Sequence, residues 1–251
     1  MRGKIIVLFV LSIAAIQSLA VAATRCPTLY VGGREPSLNS QLTNRTTEVC
    51  YTEYVLLASG VTKGPLYSAE HLTKKQIDGA NSITRVGSWH SEQSIPVEDR
   101  SYTDDYTNSG YDRGHMTPAG DPSTEASEKE TFSMANVVPQ NPTLNRGKWE
   151  KIESNVRNLA TQLGEIYVVT GPVFNNGTVP TIGPDAVYVP SYTWKAVYEP
   201  GVGAGVYLCR NDSAQACQVI SVADVQAMTG IDPFPSLSSA VKSNAIPLQL
   251  P

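Results

Sequence analysis

Apolar residues recur along the chain with two different periods. Between residues 141 and 163, Trp149, Ile152, Val156, Leu159, Ala160 and Leu163 fall three or four apart, and Gly164 follows. That spacing predicts an amphipathic helix over 141–163 with a glycine stop. Short apolar runs bounded by Gly and Pro predict strands instead: 51–58, then 165–170 running into Gly171-Pro172, then 186–189, 194–198, 206–209 and 218–222. A second, short helix is expected over 222–228, ending near Gly230. Residues 24–50 read as irregular, Thr62-Lys63-Gly64-Pro65 as a turn, and 85–112 as a long polar surface loop. Strands and helices mix without a regular βαβ alternation, so the expected class is α+β, in one domain over residues 23–251.

The first residues follow a different logic. Arg2 and Lys4 precede an apolar run over 5–15, and Ala20-Val21-Ala22 places small residues where a signal peptidase cuts. Residues 1–22 are therefore expected to be a cleaved secretory signal, and the protein to be secreted, extracellular or periplasmic. No apolar run of 18 residues follows residue 23, so no membrane contact is expected of the mature form. Export accounts for the even number of cysteines. Of three possible pairings, Cys26–Cys50 and Cys209–Cys217 are favoured because each pair is close in sequence, and no C-x-x-C spacing argues for a metal. Asn44, Asn176 and Asn211 each open a glycosylation sequon.

Charge refines the picture. The 251 residues carry 19 Lys and Arg against 23 Asp and Glu, for a net charge of −4. Losing Arg2 and Lys4 with the leader moves that to −6. Such a balance excludes a protein coated in basic charge to hold nucleic acid. Yet Arg113, Arg146, Lys148, Lys151 and Arg157 lie within 45 residues of one another, which predicts a local basic groove on an acidic body.

Three histidines occur. His71 and His90 have no ligand or nucleophile spacing around them and read as structural. His115 sits in Asp112-Arg113-Gly114-His115, flanked by Gly110, Pro118 and Gly120, residues that impose local backbone shape. Downstream, Asn136-Val137-Val138-Pro139-Gln140 leads to Leu144-Asn145-Arg146-Gly147-Lys148-Trp149, with Glu153 and Arg157 one turn apart on the helix. By itself that last pair reads as a surface ion pair worth a few tenths of a kcal/mol.

Together these segments resemble the DNA/RNA non-specific endonucleases. Asp112-Arg113-Gly114-His115 stands as the family's D-R-G-H. Asn136-x-x-Pro139-Gln140 with Leu144-Asn145-x-Gly147-x-Trp149-x-x-x-Glu153 stands as its second block. Arg85-Val86-Gly87-Ser88-Trp89 and Thr229-Gly230-Ile231 match more loosely. The resemblance implies an antiparallel sheet and a ββα-metal (His-Me finger) site. It implies hydrolysis of phosphodiesters in DNA and RNA without sequence or sugar preference. By that resemblance His115 matches the general base, Asn145 the single protein ligand of Mg²⁺ (with Mn²⁺ as substitute), and Glu153 the acid that orders the cation's waters. Arg157 and Arg85 match the phosphate-holding arginines, Arg113 and Asn136 supporting residues, and Asp112 a brace.

The chemistry suits those roles. Imidazole titrates near neutrality, so it can take a proton from water, and activity is expected to fall below about pH 6. Mg²⁺ favours oxygen ligands and keeps several waters. Contacts confined to phosphate read neither base nor 2′-OH. Two other readings stay open at this point: a phosphodiesterase selective for RNA or single strands, and an inactive secreted nucleic-acid-binding module. A serine hydrolase or zincin is excluded by the lack of G-x-S-x-G and H-E-x-x-H.

Overall fold

A computed structural model describes residues 24–174 and 177–251. The expected leader 1–22 and the Asn176 sequon lie outside them. In chain order the elements that build the site are strands β1 (Thr46–Cys50), β2 (Val55–Ser59) and β3 (Gly64–Thr73), helix α1 (Lys74–Ala80), strand β4 (Asp112–His115), helix α2 (Glu125–Thr131) and strand β5 (Val137–Gln140). Then follow helix α3 (Glu150–Leu163), strands β6 (Glu165–Val173), β7 (Tyr192–Glu199), β8 (Gly203–Arg210) and β9 (Cys217–Ile220), and helix α4 (Val222–Thr229).

Seven strands form one antiparallel sheet in the order β9-β8-β7-β6-β3-β2-β1. Successive side chains of a strand point to opposite faces, and both faces here are covered. Trp194 and Ala196 of β7 join Val169, Val206, Phe234 and Val225 of α4 in one core. Val197, one residue on, joins Val168, Tyr207 and the buried stripe of α3, Ile152, Val156 and Ala160, in the other. Burying Ile152 and Val156 contributes about 1.5–3 kcal/mol each. Helix α3 stops where Gly164 takes φ +94, and the Lys74 N–H caps the turn by donating to the Gly164 carbonyl.

Two segments depart from the sequence expectation. Residues 24–50 are not wholly irregular, because Thr46–Cys50 is the edge strand β1. The expected turn at 62–65 ends two residues early, because Gly64 opens the ten-residue β3, which lies inside the sheet. Residues 85–112 lack long elements and, as expected, lie largely at the surface, with Ile95, Asp99, Ser101, Asp105 and Tyr106 buried as anchors.

Both expected disulfides are present, Cys26–Cys50 and Cys209–Cys217. Among the described residues, no helix is long and apolar enough to cross a membrane. Asn44 is exposed. The Asn211 sequon is committed elsewhere, since its Nδ2 donates to the carbonyls of Pro139 and Pro190 at 3.0 and 2.8 Å.

Candidate active site

The hairpin β4–β5 stands outside the main sheet, with Asp112 opposite Gln140 and His115 opposite Val137. Gly114 is required there, because a Cβ would run into the Gln140 side chain. The chain then passes through a short turn, Pro142–Leu144, and a wide π-helical turn, Asn145–Trp149, into α3. Gly147 breaks the helix geometry at φ −121 and ψ −107. A π-bulge of this kind re-aims side chains and recurs at functional sites. The resulting strand–strand–helix unit faces a cleft of about 590 Å³ lined by Arg85, Trp89, Arg113, His115, Asn145, Arg146, Glu150, Glu153 and Arg157.

His115 lies at the cleft wall. Its ring packs 4.9 Å from Trp89 and edge-on 5.2 Å from Phe132. Nε2 is shut away from solvent and makes no hydrogen bond, so Nδ1 is the nitrogen left to meet a water in the cleft. Burial first, and the Arg85 charge second, lower its pKa from 6.5 to about 3. The imidazole is therefore neutral across the physiological range, and the acid limb expected near pH 6 moves well below it.

Asp112 braces the other wall. It accepts from Asn145 Nδ2 at 2.9 Å and from Arg146 Nε and Nη2 at 2.8 and 2.5 Å. With Nδ2 taken, the Asn145 amide presents its oxygen as the free acceptor. That oxygen and the carboxylates of Glu153 and Glu150 make an all-oxygen donor set in one cleft, which fits a hard divalent cation. Burial raises the Glu153 pKa to about 7, with Asp121 and Glu150 adding to the rise and Lys195 and Arg157 opposing it.

The arginines reach the cleft by different supports. Arg157 does not pair with Glu153 as its i,i+4 spacing suggests. Its Nη1 donates to Asp121 Oδ1 at 2.9 Å and its Nη2 to Ser154 Oγ at 3.0 Å. Arg113 donates to the Thr103 carbonyl at 2.9 Å and lies 5.5 and 5.6 Å from the Trp89 and Tyr106 rings. Arg85 is exposed and stands 4.9 Å over the Phe132 ring.

The model of the DNA/RNA non-specific endonuclease family matches residues 36–240. The chain belongs to this family. Among its relatives, the mitochondrial nuclease EXOG of Danio rerio is 31% identical over 209 residues, covering 74% of this chain and 60% of its own length. Mitochondrial endonuclease G of Bos taurus is 30% identical over 165 residues, 62% of this chain and 55% of its own. Nuclease C1 of Cunninghamella echinulata var. echinulata is 36% identical over 129 residues, half of each chain. The chain thus spans 50–60% of the length of these relatives. A chain of the solved EndoG/EndoGI complex superposes with a TM-score of 0.70 at 25% identity, covering 75% of this chain and 87% of that one. The ββα-metal core expected of the family is the β4–β5–α3 unit.

Within that family frame, His115, Asn145, Glu153, Arg157, Arg113 and Arg85 all line one cleft, although 72 residues separate Arg85 from Arg157. Asn136 does not reach it. Fully buried, its amide accepts from Thr117 N–H and donates to the carbonyls of Thr117 and Thr131 at 2.9–3.0 Å. It positions the chain just beyond His115 instead of meeting a substrate. Lys148 and Lys151 also stay outside the cleft lining, so the basic groove is made by arginines.

Sequence reasoning missed the charged layer beneath the cleft. Glu70, Asp121 and Lys195 are at most 2% exposed. Lys195 donates to Thr170 Oγ1 at 2.6 Å and to the carbonyl of Met116, next to His115, at 3.2 Å. Its Nζ lies 5.6 Å from the Trp149 ring. Lys195 and Thr170 are register partners on β7 and β6, and Glu70 lies on the neighbouring β3. Burial pushes the Glu70 carboxyl well up, and the nearby Asp121 adds to it. The signal available was the presence of Lys and Glu inside otherwise apolar strands.

Proposed function

We propose that the protein is a secreted endonuclease that hydrolyses phosphodiester bonds of DNA and RNA with little regard for base or sugar, aided by Mg²⁺ or Mn²⁺. The observation that carries this reading is a neutral His115, with Nδ1 open to a cleft that also holds four guanidiniums and the free amide oxygen of Asn145. Family membership supports nucleic acid as the substrate class.

His115 takes a proton from a water aligned with the phosphorus. Arg157, Arg113 and Arg85 offer planar forks to the non-bridging phosphate oxygens. Asn145 would hold the cation and Glu153 would order its waters; the cation would supply charge neutralisation at the phosphate and the leaving oxygen. Because the lining groups address phosphate, DNA and RNA are both accommodated. Export rests on the residue pattern of 1–22 and on two disulfides, which persist in oxidising compartments.

Supercoiled plasmid and folded RNA incubated with the protein test the reading. In Mg²⁺ both substrates should be cut, the plasmid through nicked and linear forms; in EDTA both should remain whole. Intact plasmid in both tubes marks a binding module, cutting of RNA alone marks the narrower phosphodiesterase, and equal cutting in EDTA overturns the metal.

A further inference from the structure

The loop of residues 211–216 between β8 and β9 lies outside the cleft, yet two of its amides reach the segment that carries Asn145. The Asn211 Oδ1 accepts the Asn141 N–H at 2.7 Å, while its Nδ2 bonds the Pro139 and Pro190 carbonyls. The Gln215 Oε1 accepts the Lys148 N–H at 2.9 Å and presses on Gly147 so closely that a Cβ there would collide with it. Asn145 therefore sits between two anchored points, Asn141 before it and Lys148 after it. Both anchors come from one six-residue loop.

The loop is itself held. Cys209 and Cys217, joined by a disulfide, are also cross-strand partners at the mouth of the β8–β9 hairpin. The Asp212 carboxylate accepts the Ala214 N–H at 3.0 Å. Gln215 adopts φ +50, the left-handed region that side chains other than glycine disfavour. In that conformation its side chain reaches the wide turn.

We propose that this disulfide-closed loop is a clamp that sets the position of Asn145, with Gln215 and Asn211 as its positioning residues. The inference rests on the reading of Asn145 as the cation's protein ligand. It follows from the build of the site. With one protein ligand on an irregular turn, the direction of its oxygen depends on the backbone either side. Asp112 fixes the Asn145 side chain, and the loop fixes the backbone that carries it. Removing outer partners of this kind typically weakens metal binding 10–100-fold.

The test is a Mn²⁺ titration of the full chain, free Mn²⁺ being read by electron paramagnetic resonance, on wild type, Gln215→Gly, Gln215→Glu and Asn145→Ala. Glycine suits the left-handed backbone while removing the side chain, so Gln215→Gly keeps the fold. Glutamate keeps an oxygen acceptor for the Lys148 N–H. Gln215→Gly should bind Mn²⁺ about 10-fold more weakly than wild type, Gln215→Glu within about 3-fold of it, and Asn145→Ala not measurably. DNA affinity measured in EDTA should be unchanged in Gln215→Gly. Wild-type Mn²⁺ affinity in Gln215→Gly, with binding lost in Asn145→Ala, overturns the clamp and leaves the ligand reading in place. Wild-type affinity in Asn145→Ala overturns the ligand reading itself. Equal weakening in Gln215→Gly and Gln215→Glu also rejects the clamp, because the acceptor would then not matter.

Discussion

His115 makes a prediction that depends on its burial first and on the Arg85 charge second. The native protein keeps this imidazole neutral down to about pH 3, whereas an unfolded chain protonates it near 6.5. Between those values the unfolded state binds more protons than the native state. Stability is therefore whole above about pH 6.5 and is lost as the pH falls. At pH 5 the loss from this one group approaches about 2 kcal/mol, from roughly 1.4 kcal/mol per pH unit below 6.5. That figure is an upper one, because the ring edge meets the cleft water. His115→Asn removes the titration and keeps a polar side chain. In urea unfolding at pH 7.5 and 5.0, the variant should gain on the wild type by about 1–2 kcal/mol at the lower pH. A stability difference that is the same at both values would refute the burial argument. The same lowering predicts that kcat/KM at saturating cation, which reports the free enzyme's groups, shows no loss centred on pH 6.

Three further outcomes follow from the layer around the cleft. Lys195→Met keeps the buried side chain's length but removes one of the two cations, Arg157 being the other, that oppose the raised pKa values of Glu70, Asp121 and Glu153, and leaves the Thr170 hydroxyl and Met116 carbonyl without their donor, so at pH 7.5 it should cost about 1–3 kcal/mol in urea unfolding; wild-type stability at pH 7.5 would contradict this. Asn136→Ala strips partners from buried backbone groups of Thr117 and Thr131 and should cost at least ~2 kcal/mol; a loss below about 0.5 kcal/mol in a thermal melt would show that these bonds contribute little. Glu153, raised to about 7 without a cation, should expel roughly half a proton when Mg²⁺ binds at pH 7. Calorimetry in buffers of unlike ionisation enthalpy reads that proton, and identical heats would refute it.

What could be read in the sequence followed from strong local signals. The stripe from Trp149 to Leu163 marked α3, and Gly164 marked its end, because period and stop agree. Cys26–Cys50 and Cys209–Cys217 followed from proximity along the chain. His115 and Asn145 stood out because each lies in a short, shape-imposing motif.

The misses have a common physical cause. Strand β3 was lost because Gly64-Pro65 reads as a turn and because Ser68, Glu70 and His71 interrupt the apolar alternation. Two of these three, Ser68 and Glu70, are buried, at 1% and 2% exposure, and Glu70 belongs to the charged layer under the cleft. The same layer places Lys195 inside a strand that otherwise reads as core. Loop 85–112 reads as polar surface and largely is, but its buried anchors were hidden because they are polar and satisfied internally: Asp105 accepts the Tyr102 and Asp185 N–H groups at 2.8 and 3.0 Å. Arg157 finds Asp121, 36 residues away, over the nearer Glu153. Local consistency fails where a site is built, and periodicity cannot announce contacts made between distant segments.

The central claim is that His115 removes a proton from the attacking water in a cleft built with Asn145. Single-turnover cleavage of duplex DNA by wild type and His115→Ala, at saturating Mg²⁺ and with folding checked by circular dichroism, tests it most directly. The variant should cut at a rate at least ~10²-fold lower, the low end for a positioned general base. A folded His115→Ala protein that cuts at the wild-type rate would contradict it.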